Sequence, residues 1–191
     1  MSKSLIIRER YERTCDSYDE LYRGEQYAKY YVALKIVKPR GVVLDAGCGT
    51  ALLAEFLKAW RILEDLEAYI CLDYSNCMLG VARWKLEALC NGNCHVILGD
   101  VENIPLEDST VNVAYSFTVL DLLDNPLKAL KELTRVTRED IVVSAMKNLN
   151  LKDTLKNIGL KTIGATDKDV IFHTTPEELN RNIESLNKDN S

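Results

Sequence analysis

The chain contains no run of about 18 consecutive apolar residues, so nothing in it reads as a membrane-spanning helix. Positive charge is also short: 24 lysines and arginines stand against 29 aspartates and glutamates, a net charge of −5. A free-standing nucleic-acid binder needs a broad basic field to neutralise phosphates, so contact with nucleic acid would require a local basic patch or a basic partner. Only 4 prolines and 9 glycines occur in 191 residues, with 47% apolar and 28% charged. That composition excludes collagen-like, disordered and disulfide-scaffold chains and fits one ordinary globular core. The start, MSKSLIIRERYER, lacks a signal peptide's apolar core and cleavage site, which gives the expectation of a cytoplasmic protein.

Histidine is scarcer still. His95 opens a strand and His173 lies in the last one, so core or edge roles are expected of both. The cysteines (Cys15, Cys48, Cys71, Cys77, Cys90 and Cys94) are scattered through apolar periodic segments, and most are expected to be free thiols. Cys90 and Cys94, followed by His95, lack the second ligand pair that structural zinc wants. A loop disulfide and two reduced thiols both remain open there, and no metal site is expected.

From about residue 41 short apolar runs alternate with helical patterns, the order of an α/β domain with a mostly parallel sheet. Strands are expected at Gly41 to Asp45, Ala68 to Asp73, His95 to Gly99, Asn112 to Ser116 and Ile141 to Ser144. Helices are expected at Thr50 to Leu63, Asn76 to Leu89 and Asn125 to Val136, the last opened by the cap and first-turn pair Asn125-Pro126. After a short helix at Lys152 to Ile158, two extended runs, Leu160 to Ala165 and Val170 to His173, read as an antiparallel hairpin on the sheet edge. The expected fold is therefore a Rossmann-like, doubly wound, seven-stranded mixed sheet with an antiparallel C-terminal hairpin. The tyrosine-rich residues 4 to 37 precede it as one or two helices, and the last five residues read as a polar, frayed tail.

The most informative segment is Val42-Val43-Leu44-Asp45-Ala46-Gly47-Cys48-Gly49-Thr50-Ala51-Leu52, a strand entering a glycine loop and a helix. Gly47 and Gly49 suit a tight turn approached closely by a ligand. Leu52 is too large for the last small position of the dinucleotide fingerprint, and Asp45 would repel a pyrophosphate. A ligand with a positive head is favoured. Here the sequence resembles the class I S-adenosylmethionine-dependent methyltransferases, whose first motif is matched by Asp45 to Ala51, with Ala51 at the third glycine.

The resemblance covers roughly residues 40 to 147 and implies S-adenosyl-L-methionine as cofactor. It makes Asp73, in Cys71-Leu72-Asp73-Tyr74-Ser75, the ribose ligand, since a carboxylate accepts hydrogen bonds from both hydroxyls of a diol. It gives Asp100 the adenine amino group and Val101 the ring edge. Asp45, Gly47, Cys48, Gly49, Tyr74 and Ser116 complete the implied cofactor set, while Ser75 is expected to cap the helix after Asp73. The segment Val111 to Leu120 is similar to the fourth strand and the exit loop that faces the transferred methyl. Leu127 to Val143 resembles the type 11 subgroup, although Asn112 replaces a usual aspartate and Thr137-Arg138-Glu139-Asp140 a usual proline-glycine-glycine turn. The resemblance thus implies a single methyltransferase domain over residues 1–191, with a helical lid (1–38), a core (39–175) and a C-terminal helix or tail (176–191).

In-line methyl transfer relies on positioning and needs no invariant acid or base. Tyr18, Tyr22, Asp121 and Asp124 are available should a base be required, and Asp121 is named as the catalytic candidate. No Asn/Asp-Pro-Pro-aromatic run follows the fourth strand, which argues against adenine, cytosine or glutamine amino groups, and no Pro-Cys pair supplies a thiolate for cytosine carbon. The acceptor is expected to be a small molecule. The alternatives are a catalytic subunit methylating RNA or a translation protein with a small activator partner, and a non-catalytic cofactor-binding module. A nicotinamide dehydrogenase ranks last, and the sequence leaves the oligomeric state open.

Overall fold

The computed structural model describes residues 3–189. It opens with one helix, α1 (Lys3–Leu34), followed by β1 (Val42–Ala46), α2 (Leu52–Ala59), β2 (Ala68–Asp73), α3 (Asn76–Leu89), β3 (Cys94–Leu98) and β4 (Val111–Ser116). The second half holds α4 (Pro126–Val136), β5 (Thr137–Met146), α5 (Leu151–Asn157), β6 (Lys161–Ala165), β7 (Asp169–Thr174) and α6 (Pro176–Asp189). Of the expected frayed tail, residues 190 and 191 lie outside the described residues, and 187–189 belong to α6.

The seven strands lie in the order β3-β2-β1-β4-β5-β7-β6, with β1 to β5 parallel and β7 antiparallel to both neighbours. This is the expected doubly wound mixed sheet with an edge hairpin. Because both faces are covered, β1 and β4 are almost wholly buried, which is why they read as unbroken apolar runs. One face carries Tyr30, Leu53, Phe56 and Leu79 from α1, α2 and α3. The other carries Leu130, Leu133, Leu155 and Leu179 from α4, α5 and α6. Among the described residues no helix is long and apolar enough to cross a membrane.

Both expected caps form. Ser75 Oγ accepts from Met78 N at 3.2 Å, and Asn125 Oδ1 from Lys128 N at 3.0 Å. Strand ends differ from expectation by a residue or so, but α2 is shorter at both ends. It starts only after Ala51, which is left-handed at φ 62°, and stops before Arg61, left-handed at φ 56°.

The larger difference lies at Thr137 to Asp140, which stand in place of the family's usual turn and outside the expected strand Ile141 to Ser144, and are found as the start of β5. Its charges are satisfied from distant segments: Arg40 reaches Glu139 (Nε to Oε2, 2.8 Å) and Asp140 (2.6 Å), while His173 Nε2 lies 2.6 Å from Asp140. Val111 pairs with Thr137 but Val113 with Asp140, so β5 absorbs one extra residue as a bulge in place of a glycine turn. Asn112 belongs to the same cluster. Its Oδ1 accepts from Val42 N at 2.9 Å and its Nδ2 donates to Glu139 at 2.6 Å, a dual role that an aspartate beside Glu139 could not fill. Asn112 therefore ties the starts of β1, β4 and β5 together, at the sheet end away from the glycine loop.

The cysteines are a correction. Four of the six are paired, Cys15 with Cys77 and Cys90 with Cys94, leaving buried Cys48 and Cys71 as thiols. Docking of α1 on the first turn of α3 joins cysteines 62 residues apart, a proximity invisible to local periodicity.

Candidate functional site

The parallel strands β1, β2 and β4 all end at one side of the sheet, and the loops leaving them line a cleft with an interior volume of about 80 Å³. Open α/β sheets bind ligands at this carboxyl edge, where the strand order reverses between β1 and β4. Gly47 and Gly49 floor the cleft with φ of 76° and 53°. At Gly47 a Cβ would stand 2.3 Å from Val119 Cγ2, so loop and wall are packed too closely for any side chain.

Asp73, at the end of β2, is 7% exposed and lines the cleft. Its Oδ2 accepts from Gly49 N and its Oδ1 from Ser75 N, both at 2.9 Å. Burial raises its carboxyl above the usual range, and these backbone donors act against the rise. The Tyr74 backbone N–H is a third donor to this carboxylate, and a ligand hydroxyl would use the lone-pair direction these donors leave. Asp100 lies beyond β3, with Oδ1 accepting from Glu102 N at 2.8 Å, and buried Val101 stands beside it on the cleft wall. Two carboxylates thus line one cleft together with the apolar side chains of Met78 and Val101 and the ring of Tyr74. The donor set fits an adenosyl group: an acid for the ribose diol, an acid for the amino group and apolar surface for the ring.

Three residues expected in the cofactor set do not line the cleft. Asp45 turns into the core, where its Oδ2 accepts from Tyr69 Oη at 2.5 Å, so it places no charge at the loop surface as the sequence suggested. Burial pushes its carboxyl up to about 7, although the Tyr69 hydrogen bond acts in the opposite sense. Cys48 is buried, its thiol 3.6 Å from Gly49 O, and burial raises that thiol well above its ordinary value. Ser116 is fully buried and donates to Ala46 O at 3.0 Å, joining the ends of β1 and β4 beneath the loop.

The Asp45 environment has a measurable consequence. An unfolded aspartate ionises near pH 4, whereas the folded carboxyl holds its proton to about 7. Its stabilising contribution is therefore full below about pH 4 and is lost as pH rises to 7, because the unfolded chain then binds fewer protons. Asp45→Asn should flatten this fall, which amounts to about 4 kcal/mol at most for a shift of roughly three pH units. Urea unfolding between pH 4.5 and 8 measures it, and an unchanged slope in the variant would refute the assignment.

Asp121 is also placed differently from expectation. It is buried behind the wall formed by Val119, Leu122 and Leu123, and its Oδ2 accepts from Met146 N at 2.7 Å. It fastens the exit loop to β5 and does not face the cleft. Tyr22 and Asp124 likewise lie off the cleft, whereas Tyr18 lines it. Burial raises the Tyr18 phenol far above neutral pH, so it is a packing and hydrogen-bonding group there, not a base.

Helix α1 supplies what sequence reasoning underweighted. Tyr11 and Tyr18 line the cleft, with ring centroids 6.0 Å apart. The helix is fixed by Glu12, which accepts from Asn76 N at 2.9 Å and Cys77 N at 3.3 Å, and by the Cys15–Cys77 bond. Asp19 accepts from Thr50 Oγ1 at 2.5 Å and pairs with Lys85, a lysine only 6% exposed. The exit loop adds Phe117, Thr118 and Val119 to the wall; its place after the fourth strand was the available signal.

A protein-family model described as a methyltransferase domain matches residues 44–144, just over half of the chain. The malonyl-[acyl-carrier protein] O-methyltransferase of Serratia marcescens is 37% identical over 105 residues, which span 55% of this chain and 37% of that protein. The demethylmenaquinone methyltransferase of Bacillus mycoides is 33% identical over 144 residues, 72% of this chain and 60% of that protein. The chain therefore covers less than two thirds of the length of either relative. Among solved structures, a SAM-dependent methyltransferase from Aquifex aeolicus superposes with a TM-score of 0.69 at 21% identity, over 85% of this chain and 96% of that one. The glycine loop, the two cleft carboxylates and the strand order agree with the family match: the chain belongs to the methyltransferase domain family, within the class I S-adenosylmethionine-dependent methyltransferases.

Proposed function

We propose that this protein transfers the methyl group of S-adenosylmethionine to a small-molecule acceptor. The observation that carries the reading is the convergence of Asp73, Asp100, Met78 and Val101 on one cleft with Gly47 and Gly49. Bound there, the cofactor supplies a sulfonium-activated methyl carbon. Asp73 would accept from the ribose hydroxyls and Asp100 from the adenine amino group, with Met78 and Val101 against the ring. Tyr11 and Tyr18 close the cleft from α1 and exclude water from the transfer. Their electron-rich faces favour a cation nearby by about 0.5–2 kcal/mol.

The residues orient and shield; with Asp121 fastened to β5 and Tyr18 held neutral, the reading requires no protein base. A small acceptor is favoured because one relative is named for demethylmenaquinone and another for a malonyl group borne on an acyl-carrier protein, and because Tyr11 and Tyr18 of α1 line the cleft. The test is isothermal titration with S-adenosylhomocysteine and with NAD, then transfer of label from methyl-tritiated cofactor. Micromolar binding of the first ligand, none of the second and labelled product are expected. Preference for NAD would overturn the reading.

A further inference from the structure

Thr118 stands two residues beyond β4, on the wall of the cleft. Its backbone is left-handed at φ 60°, a conformation that a β-branched residue adopts only where its surroundings impose it, and such strain gathers at functional sites. Here two elements hold it. Its N–H donates to Ser144 Oγ of β5 at 2.8 Å, and its hydroxyl oxygen accepts from Lys29 Nζ of α1. Lys29 is fully buried and pairs with Glu25 on α1 and with Asp169 on β7, each at 3.2 Å. Glu25 also pairs with the exposed Lys168, and the buried Asp121 carboxyl lies within electrostatic reach of Lys29 and Asp169.

An ammonium only donates, so Lys29 takes one lone pair of the Thr118 oxygen and leaves the hydroxyl proton unused. Among the described residues no group accepts that proton. Engagement by a cation also polarises the hydroxyl and strengthens its own donation.

Resting on the reading that methyl transfer occurs in this cleft, we propose that Thr118 donates its hydroxyl proton in a hydrogen bond to the accepting atom, that Lys29 is the positioning residue behind it, and that the accepting atom is an anionic oxygen. In-line attack commits one lone pair. An amine nitrogen has no second pair to offer Thr118, whereas a carboxylate or phenolate oxygen does. A lone pair of that oxygen forms the new carbon–oxygen bond as the carbon–sulfur bond breaks, and its electrons leave on sulfur as a neutral thioether. The acceptor enters without a proton on the attacking atom, so the step releases none and needs no base.

The test uses acceptors matched in shape: malonyl-N-acetylcysteamine against β-alanyl-N-acetylcysteamine, and 4-nitrocatechol against 4-nitro-1,2-diaminobenzene, each with methyl-tritiated cofactor. Label is expected in at least one oxygen acceptor and in neither amine. Thr118→Val should lower kcat about tenfold or more, with S-adenosylhomocysteine affinity within about twofold, and Thr118→Ser should restore it. Lys29→Met should act on kcat in the same way, with Lys29→Arg intermediate. Removing Lys29 alone strands Asp169 in the core, so the paired variant Lys29→Met/Asp169→Asn is measured as well, with its thermal melt. Labelled amine, wild-type kcat in Thr118→Val, or S-adenosylhomocysteine binding without methylation of either oxygen acceptor would each overturn the inference while leaving the cofactor reading intact. Failure to bind S-adenosylhomocysteine would instead remove the proposed function, and this inference with it.

Discussion

Asp73→Ala is expected to weaken S-adenosylhomocysteine binding by about a hundredfold or more. The carboxylate has two tasks, and alanine ends both. It holds the glycine loop by accepting from Gly49 N and Ser75 N, and in the proposed reading it also accepts the ribose diol. Hydrogen bonds to a charged group contribute roughly 1.5–3 kcal/mol each, and about 1.4 kcal/mol is a factor of ten in affinity, so loss of the ribose contacts alone reaches the predicted range. Asp73→Asn separates the tasks: one amide oxygen still accepts from the loop, while the amide nitrogen cannot accept from a hydroxyl. Its affinity should fall between wild type and alanine. Titration calorimetry on all three proteins decides, and an alanine variant that binds like wild type would take Asp73 out of the cofactor site.

Opening the Cys15–Cys77 bond should cost about 4 kcal/mol of unfolding free energy. The bond closes a loop of 62 residues, and chain entropy makes long loops the most valuable to close. Cys90–Cys94 spans only four and should contribute roughly 2 kcal/mol. The comparison is urea unfolding of Cys15→Ala/Cys77→Ala and Cys90→Ala/Cys94→Ala against the oxidised parent. Alanine is preferred to serine because Cys15 is only 3% exposed and a hydroxyl there would be left unsatisfied. The first pair should also loosen cofactor binding, since Tyr11 and Tyr18 sit on the helix that the bond holds over the cleft. Equal stability of the two double variants would contradict this account.

Much of the architecture was written locally. β1, β2 and β4 are buried on both faces and therefore appear as continuous apolar runs, and the Gly47-Cys48-Gly49 turn needs backbone angles that few other residues accept. Asp73, Asp100 and Val101 follow the ends of their strands, so the doubly wound pattern predicts their placement at the carboxyl edge. Asp45 misled because sequence proximity to the loop says nothing of which face its side chain takes; Asp45 and Gly47 share a strand-like alternation, but Tyr69 on β2 draws the carboxyl inward. Asp121 misled in the same way, its partner being the Met146 amide 25 residues on.

The sequence by itself determined the strand and helix order, the glycine loop and the acids that flank it, because each depends on hydrophobic periodicity or backbone freedom within a few residues. The tertiary structure alone decided the pairing of Cys15 with Cys77, the pairing of Arg40 with Glu139 and Asp140, and the fastening of Thr118 by Lys29 and Ser144. These contacts join residues from 26 to 100 positions apart. They exist because packing of the elements brings residues distant in the chain side by side, and those whose polar groups leave water, such as Lys29, must find partners across elements.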